Sequence, residues 1–516
     1  MPGCGWETKD GRADMTNFEM DLFDTRVYRR DDKDESDECC RNSIIKPACF
    51  PITILALLLL MTFFVPMLNE DMGDAAVSST KKYERTGTCT DECRQVGWKA
   101  SCSQSINKLW HFRLRLVESI PTGMVFPAAA PRHLSTFQAW TELLRIARKS
   151  VDITALYWNM RDKTNYKTSW QGKEVFGEII KTAQRGVTIR VAQNAGSAFG
   201  SLDDLKFLEK EGVVSVSTLN FTEIFGAGVL HTKLWVIDNR HFYLGSANMD
   251  WQSLTEVKEM GLMLLNCSCL AWELSKIFAI YWRIGQNHNR LPAVWPVYLQ
   301  SKFNAQHPME IHFGSEPSHT YISHSPEKLN PKGREHDLSA ICSCMGKANE
   351  FVRIAVMDYI PATLYMPNGS NIFWPPIDDA IRTAAYRGVK VELLVSLWPH
   401  SNERAIFFFR SLLEINAALP PTKSGKSGGI SIKYFRVPVS PEQAVLRFAR
   451  VNHNKFMVTD TCAWIGTSNW SGDYFINTAG VGIVIHKEVT ADSVVDQLNA
   501  VFERDWTSRY AFNVSI

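Results

Sequence analysis

The sequence predicts an α/β fold built from two related halves, each a mixed β-sheet flanked by helices, preceded by one transmembrane helix. Three observations predict it. First, segments recur in order. Val151–Trp158 (VDITALYW) resembles Val352–Tyr359 (VRIAVMDY), Arg185–Gln193 (RGVTIRVAQ) resembles Arg387–Val395 (RGVKVELLV), and Ile277–Trp282 (IFAIYW) matches Val501–Trp506 (VFERDW). Their spacing grows slowly, mostly between residues 396 and 453, where PPTKSGKSGG (Pro420–Gly429) reads as a surface loop. Ordered repetition of this kind implies two copies of one unit. Second, β-branched runs alternate with helical patterns inside a copy, reading β-α-β-α-β-β. Third, Pro47–Leu68 (PACFPITILALLLLMTFFVPML) carries no charge.

In chain order, residues 1–46 read as a disordered cytoplasmic tail containing the acidic run Asp31–Glu38. Residues 47–68 form the membrane span, about 33 Å long as a helix. Arg26, Arg29, Arg30, Lys33, Arg41 and Lys46 precede it and no Lys or Arg follows for twelve residues, so the body is expected to cross. Cys39, Cys40 and Cys49 at its edge are candidates for acylation. Residues 69–115 read as an irregular polar stalk, 116–300 as the first repeat and 301–516 as the second.

Helices are predicted at Thr136–Lys149, Lys173–Arg185 and Leu202–Glu211. Strands are predicted at Val151–Trp158, Val187–Gln193, Leu230–Asp238, His241–Leu244 and Gly261–Leu265. Eight cysteines follow the span: Cys89, Cys93, Cys102, Cys267, Cys269, Cys342, Cys344 and Cys462. An even number in an oxidising lumen suggests disulfides; zinc is the alternative, ranked lower because no paired histidines accompany the cysteines. Glycosylation sequons lie at Asn220, Asn266, Asn368 and Asn513. A fifth, at Asn469, falls inside a motif and is expected to stay bare. Gly425-Lys426-Ser427 resembles the end of a P-loop, but Pro420 stands where that loop needs glycine. A formal charge of +2 on 516 residues argues against a surface that coats polyanions generally.

The chemistry concentrates in one repeated motif. His231, Lys233 and Asp238 stand in the spacing His-x-Lys-x-x-x-x-Asp, followed by Gly245, Ser246 and Asn248; His453, Lys455 and Asp460 repeat it, followed by Gly466, Thr467 and Asn469. Read as strands, each His and Lys share a face, while each Asp has opposite parity and is expected to anchor the strand end or orient a neighbour. Ser246, Thr467, Asn248 and Asn469 offer donors to phosphate oxygens. Two such half-sites meeting across a pseudo-twofold make one phosphodiester pocket. The lysines and asparagines stabilise charge on the non-bridging oxygens. One imidazole attacks phosphorus and the other protonates the leaving oxygen, then activates water. No divalent metal or other cofactor is called for. Glu259 has no acidic equivalent before Gly480, where the counterpart of Lys258-Glu259 is read as Asn477-Thr478. Glu259 is therefore expected to orient His231, making His231 the nucleophile and His453 the acid, then base. Tyr157, Trp158, Trp251, Tyr359, Phe373, Trp374 and Trp470 are candidates for substrate stacking, with buried packing the favoured alternative. Cys462 is read as a core or disulfide residue.

At these residues the chain resembles the phospholipase D superfamily. Phe242–Glu259 (FYLGSANMDWQSLTEVKE), Asn266–Ala271 (NCSCLA), Phe373–Ala380 (FWPPIDDA) and Ala449–Thr459 (ARVNHNKFMVT) look like its single-pass endolysosomal branch, which contains phospholipases D three and four. The resemblance runs from about Leu116 to Tyr510. It implies a 5′-to-3′ exonuclease acting on the ends of single-stranded DNA and RNA in acidic endosomes and lysosomes, reached through the endoplasmic reticulum and Golgi, with luminal cleavage in the stalk. It also implies transphosphatidylation of phosphatidylglycerol and lysophospholipid to bis(monoacylglycero)phosphate, and a homodimer. Disulfides carried over are Cys89–Cys269 and Cys93–Cys267; Gln95–Arg113 looks like an insertion. The competing readings are a lipid phosphodiesterase and an inactive membrane scaffold, the second opposed by the intact motifs.

Overall fold

The computed structural model describes residues 93–96, 99–102, 113–196, 202–312, 317–421, 427–487 and 493–514. Cys89–Ile516 form one compact unit; Met1–Thr88, the other, lie outside the described residues, and with them the expected tail, membrane span and first part of the stalk. No helix among the described residues is long and apolar enough to cross a membrane. The described part of the stalk is regular rather than irregular. Cys93–Val96 and Lys99–Cys102 pair antiparallel with Cys93 opposite Cys102, and a strand of the body begins at Arg113.

The first half carries β1 (Arg113–Ser119), β2 (Leu134–Ser135), β3 (Ser150–Ala155), β4 (Thr188–Asn194), β5 (Ser215–Leu219), β6 (Leu234–Ile237), β7 (His241–Gly245) and β8 (Glu259–Leu265). They form one sheet in the order β2-β1-β8-β7-β6-β3-β4-β5. The second half carries β9 (Met309–His312), β10 (Pro317–Ser325), β11 (Glu335–His336), β12 (Phe351–Val356), β13 (Lys390–Ser396), β14 (Gly429–Phe435), β15 (Lys455–Thr459), β16 (Cys462–Gly466), β17 (Gly480–His486) and β18 (Ala511–Asn513). Its order is β9-β10-β17-β16-β15-β12-β13-β14-β18, with β11 on β10. Without the added edges β9 and β18, the second sheet repeats the first strand for strand. The expected duplication is therefore present in the topology as well as in the residues.

Sequence alternation sets the layers. In β6, Leu234 and Val236 face a core shared by both halves, while Trp235 and Ile237 face an outer core. In β15, Phe456 and Val458 face the shared core and Met457 the opposite one. Strands apolar on both faces need cover on both. The helices Ser268–Gln286 and Val494–Thr507 fill the space between the sheets, and other helices cover the outer faces.

Local chemistry fixes the helix ends. Thr136–Ile146 starts at a capping box between Ser135 and Gln138 and stops short of the predicted Lys149. It stops because the Arg148 and Lys149 amides leave the helix to bond the Asp238 carboxylate, at 2.9 and 2.7 Å. Buried ion pairs tie the halves together: Arg450 to Glu256 at 2.9 Å, Lys258 to Asp505 at 2.6 Å, and Arg504 to Glu118 at 2.8 Å.

Candidate active site

The two His-x-Lys motifs do not lie within strands as the sequence pattern suggested. β6 starts only at Leu234 and β15 at Lys455. The residues before them are extended run-ins that cross to the other half. Leu230 bridges Ala479 in parallel, and Asn452 bridges Lys258 likewise. The His231 amide donates to the Ala479 carbonyl at 3.0 Å, and the His453 amide to the Lys258 carbonyl at 2.7 Å. These paired crossings are the pseudo-twofold at the level of hydrogen bonds. Each histidine is mounted on the partner half, at the ends of β8 and β17.

That register corrects the expected counterpart of Glu259. Gly245 pairs with Gly261, and Gly466 with Gly482, so Glu259 corresponds to Gly480 and Lys258 to Ala479. Glycine is required at 480: a Cβ there would meet the Ser468 hydroxyl at 2.0 Å. The second half has no room for a carboxylate at this place.

The single carboxylate serves the other histidine. Glu259 Oε2 accepts from His453 Nδ1 at 2.8 Å and from the Ser246 hydroxyl at 2.5 Å. His231 Nδ1 instead donates to the Thr467 carbonyl, at 2.8 Å. The expected Glu259–His231 pairing is therefore wrong; the carboxylate reaches across the half boundary to His453. In both rings Nδ1 is bonded, which leaves Nε2 for substrate. Lys233 and Lys455 each donate to the carbonyl of their own motif's histidine, at 2.6 and 2.7 Å.

All four basic groups are buried: His231, Lys233, His453 and Lys455 are 5%, 2%, 8% and 0% exposed. Burial is the main reason their protonated forms are disfavoured. It brings His453 down to about 4, opposed by the Glu259 carboxylate and aided by Lys455. It lowers His231 well below the usual imidazole range, with Lys233, Lys455 and His453 adding repulsion. Burial takes Lys455 to about 7, and Lys233 also falls far below the ordinary ammonium value. Burial alone would raise Glu259, but the charge and hydrogen bond of His453 outweigh it and hold the carboxyl down. A cluster that resists its own positive charge is ready for an anion that supplies the missing counter-charge.

The motif aspartates stand apart, as their parity implied. Asp238 accepts from the Arg148, Lys149 and Ser150 amides, anchoring the start of β3. Asp460 accepts from the Asn349 and Glu350 amides just before β12. Both carboxylates bond backbone amides of the scaffold. Asp238→Ala should cost about 1–3 kcal/mol of stability, visible as a lower Tm, with kcat/KM little changed.

Ser246 and Thr467 spend their hydroxyls inside the protein. Met260 N donates to Ser246 Oγ and Val481 N to Thr467 Oγ1, each at 3.0 Å. Asn248 and Asn469 remain the side-chain amides of the site, each with a buried Oδ1 lacking a protein partner. Asn469 Nδ2 donates to the Tyr474 hydroxyl at 2.9 Å and the side chain is 3% exposed.

The stacking candidates are placed elsewhere. Tyr157, Trp158, Trp251, Tyr359 and Trp470 are all buried, at 7% exposure or less. Trp158 and Trp470 belong to the outer cores; Tyr157 and Tyr359 donate to Asp250 and Asp378. Trp374 stacks on Phe475 at 5.2 Å, and only Phe373 is well exposed. Packing wins because these residues follow strand ends that turn inward. Cys462 and Cys344 are buried in the second outer core, as expected for Cys462. Cys269 is disulfide-bonded; the side chains of Cys89, Cys93 and Cys102 lie outside the described residues.

Two residues escaped the sequence reading. The Tyr474 ring meets His231 edge-on at 5.0 Å. The Asp358 carboxyl lies near Lys455, and burial pushes it up to about 6. Asp358 occupies the place of Tyr157 in the aligned repeats, so a difference between copies was the available signal.

Residues 127–467 match the PLD3/4, PLD-like domain family. A probable phospholipase D of Caenorhabditis elegans is 41% identical over 524 residues, spanning 98% of this chain and 88% of its own. The 5′-3′ exonuclease PLD3 of Xenopus tropicalis is 44% identical over 430 residues, 82% of this chain and 81% of that one. The human 5′-3′ exonuclease PLD3 is 42% identical over 403 residues, 77% and 80% of the two chains. The chain belongs to the PLD3/4 phospholipase D-like family and is a phosphodiesterase of the phospholipase D superfamily.

Proposed function

We propose that the protein is a metal-independent 5′-to-3′ exonuclease on single-stranded nucleic acid that works through a phosphohistidine on His453. The observation that carries the mechanism is the Glu259–His453 bond across the half boundary. Glu259 holds the Nδ1 proton, aims Nε2 at phosphorus and stabilises the imidazolium character that grows as the P–N bond forms. Lys233, Lys455, Asn248 and Asn469 hold the non-bridging oxygens. As the P–O bond breaks, protonated His231 gives its proton to the leaving oxygen. Neutral His231 then takes a proton from water, whose oxygen attacks phosphorus and breaks the P–N bond. The phosphodiester's negative charge opposes the burial and the repulsion from Lys233 and Lys455 that disfavour protonated His231.

The exonuclease reading is supported by the names of the frog and human relatives. The second reading is a lipid phospholipase D or a transphosphatidylase making bis(monoacylglycero)phosphate; the name of the nematode relative, a probable phospholipase D, supports its phospholipase D part alone. The test is turnover by the full chain in detergent with EDTA, on a 5′-hydroxyl single strand, its 5′-phosphorylated form, and phosphatidylglycerol with lysolipid. Oligonucleotide shortening from the 5′ end is expected; lipid exchange with intact oligonucleotide would reverse the ranking.

An acidic endolysosomal setting, reached through an anchor at Pro47–Leu68, fits the charges of the site. The nucleophile must be neutral, so kcat/KM should fall below about pH 4 as His453 is protonated. The acid His231 and the phosphate clamp must both be protonated, so kcat/KM should fall again as pH rises, first as His231, held well below the usual imidazole range, loses its proton and then, at about 7, as Lys455 does. A pH profile of kcat/KM checks this; an optimum above pH 8 would contradict it.

A further inference from the structure

Asn248 and Asn469 each meet a tyrosine, but the two halves supply it from different elements. In the first half it is Tyr157, just after β3, whose hydroxyl donates to Asp250 at 3.1 Å. In the second half Asp358 stands at that place, and the tyrosine is Tyr474, where the first half has Ser253. The counterpart of Asp250 is Ser471, which itself donates to Asp473 at 3.1 Å. Tyr157 therefore spends its proton on a carboxylate. The hydroxyl of Tyr474 accepts from Asn469 Nδ2 at 2.9 Å, and among the described residues its own proton is bonded to no carboxylate.

Tyr474 stands in the reaction site. Its ring meets His231 edge-on at 5.0 Å, its hydroxyl meets Asn469, and the residue is only half-buried. The short helix Asp473–Ile476 holds it there. The Leu364 and Tyr365 amides donate to Asp473 at 2.7 and 3.0 Å, the Ser325 hydroxyl donates to the Tyr474 carbonyl at 2.9 Å, and Phe475 stacks on Trp374. A donor fixed before substrate arrives needs no reorganisation when charge develops. Burial, with Tyr365 and Asp358 close by, holds the phenol well above its usual range, so it keeps its proton while the imidazoles and lysines titrate.

We propose that Tyr474 is a further catalytic residue, whose hydroxyl donates to a non-bridging oxygen of the phosphodiester that lies between His231 and His453. This rests on the two-histidine reading above and adds a neutral donor to it. Neutrality matters here. Lys233 and Lys455 already disfavour protonated His231, and a third cation would disfavour it further. A phenol adds a bond to the same oxygens without adding charge beside the acid.

Tyr474→Phe removes the hydroxyl and keeps the ring against His231. It should lower kcat/KM about 10- to 100-fold, the loss of one hydrogen bond to a charged group, on bis(p-nitrophenyl) phosphate and on a 5′-hydroxyl single strand. Tm should stay close to wild type, and both limbs of the pH profile should stay in place. Sulfur accepts hydrogen bonds weakly. With a phosphorothioate at the first linkage of the strand, the Tyr474→Phe loss and the sulfur loss should therefore fail to add for one of the Rp and Sp isomers. In an Asn469→Ala background Tyr474→Phe should cost a similar factor again. Unchanged kcat/KM on both substrates overturns the proposal, as do losses that multiply for both isomers. So does a Tyr474→Phe that costs nothing in Asn469→Ala, which would leave Tyr474 as a support for Asn469. Wild type that cleaves the small diester and shortens no strand overturns the exonuclease reading instead, and the loss on the small diester then decides for or against Tyr474.

Discussion

His453→Ala should lose turnover by about 10⁴- to 10⁶-fold, with Tm close to wild type, whereas His231→Ala should stall part-way. The difference follows from where Glu259 lies. Without the His453 imidazole no P–N bond can form, and the remaining lysines and asparagines only hold the diester. Without His231 the first step still proceeds when the leaving group needs no proton, as with p-nitrophenolate. The second step then lacks its base, so a burst of one p-nitrophenolate per enzyme should be followed by slow release. A burst in His453→Ala and not in His231→Ala would exchange the two roles, and steady turnover by His453→Ala would remove His453 from the mechanism.

Glu259→Gln should lower kcat by about 10²- to 10⁴-fold, the range expected when an orienting carboxylate beside a reacting imidazole is replaced by its amide. The glutamine fills the same space, but its amide nitrogen favours the wrong ring tautomer and cannot stabilise the growing positive charge. Because Glu259 raises the pKa of His453 against burial, its loss should also move the acid limb of kcat/KM below about 4. Loss of activity with an unmoved acid limb would make Glu259 a structural residue only. Ser246→Ala, which removes the second bond to Glu259 Oε2, should reproduce a milder form of the same change.

Much of this arrangement could be read from the residues, and the parts that could not share one cause. The repeated segments and the matched His-x-Lys pairs announce two copies and one pocket. Strand parity correctly separates Asp238 and Asp460 from the reacting groups, although the histidines sit on run-ins before the strands. Local features are legible because short-range geometry determines them. The partner of His453 is not, because Glu259 lies 194 residues away and meets it only where β8 abuts the other half. The counterpart of Glu259 was misread because β17 has glycine at both 480 and 482 and Gly261 was matched to the first; the ladder matches it to Gly482 and puts Gly480 in the place of Glu259. β5 (SVSTL) escaped notice because a short, mixed strand carries little period-two signal. The helix Ser268–Gln286 is buried over most of its length, so no polar face marked it. The aromatics near the motifs looked available for stacking, yet burial gains more by packing them inward.

The most direct measurement is to trap the phosphorylated enzyme. His231→Ala, mixed with a labelled diester bearing p-nitrophenolate and quenched in base, should yield a phosphoramidate that maps by peptide sequencing to the imidazole of His453. Label on another residue, or no acid-labile label at any time, would contradict two imidazoles converging on one phosphorus with His453 as the attacking atom.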